Sequence, residues 1–150
     1  MNRRLYSLIL VLTFLLPALT TFAQNKKKEQ SEQLVVRLIQ ASKKTGESDA
    51  ELRDILPSLK NLGWARFEQV SLATRPVQDK GVIDRLKLGD RLTLELAFKG
   101  HQGKQLVVDV KLLLDGKEVL NGTAKLGQGD VCLTGRQAGD EAWIVHIKRR

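Results

Sequence analysis

Residues 91–126, RLTLELAFKGHQGKQLVVDVKLLLDGKEVLNGTAKL, decide the fold. The apolar residues fall on even positions: Leu92, Leu94, Leu96 and Phe98, then Leu106, Val108, Val110 and Leu112, then Leu120, Ala124 and Leu126 with Gly122 between them. A strand presents one face every second residue, so this spacing predicts three antiparallel strands sharing one apolar face. Facing residues of an antiparallel pair have a constant sum of positions, and matching the even faces makes that sum even. Pairing Phe98 with Lys104 satisfies this with a five-residue loop, 99–103.

At the second turn two rules compete. Asp115-Gly116 favours a two-residue type I′ hairpin. Extended along both strands, that register would set Val110 opposite Asn121 and an apolar face beside a polar one. A three-residue loop, 114–116, restores the match, with Val110 opposite Leu120, Val108 opposite Gly122 and Gly116 in the left-handed region. A slip would carry Leu120 and Leu126 to the wrong side, and each buried leucine is worth about 1.5–3 kcal/mol. Face matching is therefore expected to win.

The length of 150 residues suffices for one domain with a sizeable core. Net charge is +8, and +6 without the first 23 residues, whose only charges are Arg3 and Arg4. Such a surplus suits anionic partners and serves equally as a solubility device. Cys132 stands alone, which excludes an intramolecular disulfide.

Residues 1–23 have the pattern of a secretory signal peptide: Arg3-Arg4, an apolar run from Leu5 to Leu16, Pro17, and Thr21-Phe22-Ala23 as the cleavage site. The alternative is a retained anchor, since residues 5–23 approach the length of about 20 that a spanning helix needs. Pro17 and the small residues favour cleavage after Ala23, and the lysines just beyond it favour retention. No cysteine near the site supports a lipoprotein. Residues 24–31 read as a flexible basic lead-in containing Lys26, Lys27 and Lys28. After cleavage no transmembrane segment is expected, and the location would be periplasmic or secreted.

Residues 32–150 are expected to form a single α+β domain. Residues 33–41 read as an interior strand, apolar on both faces. Ser48-Asp49-Ala50-Glu51 matches a capping box. Leu52, Ile55, Leu56, Leu59 and Leu62 then form one apolar stripe, which predicts a helix over 49–62 with a kink at Pro57 and an end at Gly63. That helix is expected to cover at least part of the meander's even face. Residues 64–73 read as a strand with Phe67 on one face and Val70 and Leu72 on the other, 82–88 as a short strand or loop, and 131–134 with 142–148 as a closing pair.

No catalytic motif stands out. His101, His146 and Cys132 lack metal-ligand spacing, so no metal or cofactor is expected. His146 reads as an edge or surface residue and Cys132 as a small buried hydrophobe. Asp140-Glu141 reads as a solvated turn. The glycines around 127–135 lack the setting of a phosphate loop, and the sequon Asn121-Gly122-Thr123 falls on a strand. Basic residues are not interleaved with aromatics, which argues against nucleic acid. The candidate contacts to an anionic surface are Lys26, Lys27, Lys28, Lys148, Arg149 and Arg150.

Residues 36–72, VRLIQASKKTGESDAELRDILPSLKNLGWARFEQVSL, the Leu-rich meander and the closing VCLTGRQAGDEAWIVHI together resemble small exported bacterial proteins of uncharacterised function. The shared pattern is a first strand, a Leu-striped helix, an aromatic-containing strand and a β-rich remainder. The resemblance implies an envelope setting and supplies no activity or site residues. The expected architecture is one helix packed on a mainly antiparallel sheet or small sandwich, in the order β-α-β and then a meander. The expected function is a non-enzymatic binding or scaffolding module of the bacterial cell envelope, its partner unknown, an envelope protein or an anionic polymer. The alternatives are an electrostatic binder of an anionic polymer or membrane surface, and a small enzyme without a recognisable motif.

Overall fold

The computed structural model describes residues 32–135 and 139–150. Eight strands form two four-stranded antiparallel sheets: β1 (Gln33–Ser42), β2 (Arg66–Pro76), β3 (Ile83–Leu88), β4 (Leu92–Gln102), β5 (Gln105–Leu114), β6 (Lys117–Leu126), β7 (Asp130–Thr134) and β8 (Glu141–Arg149). The first sheet has the order β2-β1-β8-β7 and the second β3-β4-β5-β6. The expected α+β arrangement is corrected to a β-sandwich. Among the described residues helical structure is confined to a 3-10 turn at Ala50–Leu52 and the five-residue helix α1 (Leu56–Lys60). Pro57 explains the break: its ring nitrogen cannot donate to the preceding turn, so it is tolerated only at the start of a helix, where α1 places it.

The first sheet, not the helix, covers the meander. Leu92 to Phe98 on β4, Leu106 to Leu112 on β5 and Leu120, Ala124 and Leu126 on β6 bury their even-numbered face against Leu34, Val36 and Leu38 of β1 and Val145 and Ile147 of β8. The leucine stripe lies on the opposite face of the first sheet. Leu52, Ile55 and Leu59 are buried there with Ile39, Ala41, Phe67 and Ile144, whereas Leu62 is 36 % exposed. The first sheet is thus apolar on both faces, as the two-sided pattern of β1 requires.

Both meander turns obey the dipeptide rule and the face rule together, by means of bulges. Leu114 pairs with Lys117 across Asp115-Gly116, whose φ values of 51° and 75° fit type I′. The register then shifts by one residue at Val119, so that Leu112 faces Leu120, Val110 faces Gly122 and Val108 faces Ala124. The expected three-residue loop and its pairs are therefore corrected, while the even sum of positions holds over the body of the sheet. At the first turn Gln102 pairs with Gln105 around Gly103-Lys104, and a shift at Lys99 puts Phe98 opposite Val108 instead of Lys104. A third bulge, at Val70, changes the phase of β2. Phe67 and Leu72 consequently pair with Ala41 and Arg37 on one face, not on opposite faces.

Along one side the sheets meet directly. A Cβ added at Gly135 would come within 2.5 Å of the Val119 carbonyl oxygen, so β7 abuts β6 at its bulge. On the other side the edge strands β2 and β3 are tied by Arg75, whose Nε and Nη2 donate to the Asp84 carboxylate at 2.6 and 2.7 Å. Because consecutive strands alternate in direction, the 77–82 connection, the β4–β5 turn, the β6–β7 link and both described chain ends fall at one pole of the sandwich. Glu32 and Arg149 secure that pole. They form an ion pair, and Arg149 Nη1 also donates to the carbonyls of Lys104 at 2.9 Å and Leu126 at 3.4 Å.

Candidate functional site

Three surfaces could carry function. The first is a row across the outer face of the first sheet. Cα pairing aligns Leu72, Arg37, His146 and Cys132 on successive strands. His146 Nε2 lies 2.7 Å from Asp130 Oδ2, and Arg37 holds Asp54 through two bonds of 2.8 and 3.0 Å. His146 is 1 % exposed, on an interior strand, which corrects its reading as an edge or surface residue. Its phase on β8 with Ala142 and Ile144 was visible in sequence. The depth of that face was not, because it depends on what covers it.

Cysteine, histidine and aspartate side by side suggest a nucleophilic triad, but the geometry is against one. His146 meets Asp130 through Nε2, and its Nδ1 is buried without a partner among the described residues. No hydrogen bond links the ring to Cys132. Burial, and secondarily the charge of Asp130, raise the thiol pKa to about 11, which leaves almost no thiolate at neutral pH. Asp130 in turn is held below the usual carboxylate range by its bond to His146. Among the described residues no group of three or more His, Cys, Asp or Glu is placed to hold a metal.

The second surface is the edge of β2. Its first half is plugged by the capping-box residues, which do not cap a helix. Phe67 N–H donates to Ser48 Oγ at 3.0 Å and Gln69 N–H to Asp49 Oδ2 at 2.7 Å, while Asp49 N–H donates to the Phe67 carbonyl at 3.0 Å. The Glu51 carboxylate accepts from Gln69 Nε2 at 2.6 Å. Past the bulge no such plug exists among the described residues. Two exposed large hydrophobics, Val70 and Leu72, stand on β2; among the described residues the others are Leu62, Val82 and Ile83.

The third surface is the pole that Arg149 secures. A cleft of about 740 Å³ opens there, lined by His101, Lys104, Gln105, Gln128 and Arg149 with two glycines. Of the candidate surface contacts, Lys148 and Arg150 are exposed at this pole. Arg149 is mostly committed to Glu32 and the two carbonyls, so its first role is structural. Lys26, Lys27 and Lys28 lie outside the described residues and precede Glu32 by four to six positions. Sequence reading missed Lys80, Lys104 and Lys125, which the fold brings to the same pole. The signal available was topological: in an up-and-down antiparallel chain every second connection shares a pole.

Among the described residues no helix is long and apolar enough to cross a membrane. Comparison with protein-family models, with curated proteins and with solved structures finds no match to this chain.

Proposed function

We propose that the protein is a non-enzymatic binding or scaffolding module of the bacterial cell envelope, exported by its N-terminal segment. The export reading rests on the Arg3-Arg4 start, the apolar run and the Thr21-Phe22-Ala23 site. The observation that carries the binding reading is the pair of exposed apolar side chains Val70 and Leu72 on β2, an edge strand whose second half is not plugged among the described residues. An unprotected edge beside exposed hydrophobics is a surface that a partner chain can cover. The groups that could do chemistry are committed elsewhere: the thiol is held protonated and His146 is sealed in the sheet.

The test is capture from envelope extract by the immobilised exported protein, at low and high salt. The expected result is a defined envelope protein retained at high salt by the wild type and lost from a Val70→Lys, Leu72→Lys variant. Equal capture by both would refute this use of the edge. A second reading, electrostatic binding, is favoured by the charge at the pole described above.

A further inference from the structure

We infer that the pole built from the 77–82 connection, the β4–β5 turn, the β6–β7 link and the chain ends docks on an anionic phospholipid surface. Glu32 with the segments 75–83, 99–105, 125–131 and 148–150 carries eight Lys or Arg and three Asp or Glu, whereas the remaining described residues carry eleven and thirteen. The positive surplus of the described chain therefore sits entirely at this pole. Three of its cations are neutralised locally, Arg75 by Asp84, Lys99 by Asp109 and Arg149 by Glu32. Lys80, Lys104, Lys125, Lys148 and Arg150 are exposed and have no ion-pair partner among the described residues.

Three features favour a bilayer over a linear polyanion. The cations stand on separate tips around one end of the sandwich; they do not follow a groove of the kind that tracks a polymer backbone. No exposed aromatic side chain occurs in these segments, so there is no platform for stacking bases. Val82, 40 % exposed, ends the 77–82 connection two residues from Lys80 at the same pole. An exposed apolar side chain among lysines matches the boundary between headgroups and acyl chains. The cleft at Lys104, Gln105 and Gln128 supplies donors for a headgroup phosphate. This inference takes only the presence of a bilayer from the envelope setting proposed above, and a vesicle assay tests it independently of any protein partner.

The assay is co-sedimentation of the purified exported protein with vesicles of phosphatidylglycerol and phosphatidylcholine, and with phosphatidylcholine alone. Each basic residue near an anionic bilayer is worth roughly fivefold in partitioning. Lys80→Gln, Lys104→Gln, Lys125→Gln together should then weaken binding on the order of a hundredfold. Lys44→Gln, Lys87→Gln, Lys117→Gln, the same change in net charge away from this pole, should change it only a few-fold. All six lysines are exposed, and thermal melts confirm that both variants remain folded. Val82→Ser should reduce binding to anionic vesicles. Equal binding to both vesicle types, no binding, equal loss in the two lysine variants, or binding to soluble polyglutamate as tight and as salt-sensitive as to vesicles would each overturn the inference.

Discussion

Leu59 and Leu62 belong to one leucine stripe in the sequence but occupy different environments in the structure. Leu59 is fully buried among Ile39, Phe67 and Ile144, whereas Leu62 is 36 % exposed past the end of α1. Truncating a buried leucine to alanine costs about 2.7–5 kcal/mol, depending on how far the site collapses. The 50–60 segment covers the sheet as a single short layer that can settle, which places Leu59→Ala at the lower end, about 3 kcal/mol. A domain of this size loses about 4 °C of Tm per kcal/mol, so the expected shift is about 12 °C. Leu62→Ala should cost less than about 1 kcal/mol, or under ~4 °C. Thermal melts followed by near-ultraviolet circular dichroism report both, with Trp64 and Trp143 as probes. Equal shifts for the two variants would refute the placement of the segment on the outer face of the first sheet.

Further outcomes follow from individual contacts. Gly135→Ala should destabilise strongly, by more than about 2 kcal/mol, because its Cβ would meet the backbone oxygen of Val119, while Gly116→Ala should cost about 1 kcal/mol through its left-handed φ alone; urea titration separates them. Asp54, Asp109 and Asp130 are held below the usual carboxylate range by hydrogen bonds to Arg37, Lys99 and His146 respectively. Each binds its proton more weakly folded than unfolded, so its stabilisation is complete above the unfolded pKa of about 4 and is lost as pH falls through the lower folded value. Asp130→Asn should therefore be less stable at pH 7 and show a shallower loss below pH ~4, measured by denaturation at stepped pH. Cys132, its pKa raised to about 11, should alkylate roughly a hundredfold more slowly in the native state than in the denatured state at pH 8.

The meander was legible because its period of two runs unbroken over three strands, and the closing pair because apolar residues on both faces of β8 demand an interior strand. Two bulges in the meander hid the exact register: each inserts one residue that pattern alone cannot place, and each reconciles a tight turn with face matching. Val70 had the larger consequence. A phase change inside β2 put Leu72 on the face of Phe67, beyond the reach of the 50–60 segment. The helix was over-read because five apolar residues at helical spacing outweighed one proline. The capping-box residues failed for a related reason: the Ser48 hydroxyl and Asp49 carboxylate satisfy N–H groups of a strand edge, which have the same need for an acceptor as a helix start. The cationic pole lay beyond sequence reading because its lysines are dispersed between positions 80 and 148 and converge only through strand alternation.

The most direct test of the account is amide chemical-shift mapping of the exported protein against bicelles with and without phosphatidylglycerol. The polarised charge predicts shifts confined to residues 79–83, 101–105, 125–129 and 148–150, seen only with the anionic lipid. Shifts centred on 43–47, 88–91 or 115–117, or the same shifts with neutral bicelles, would contradict it.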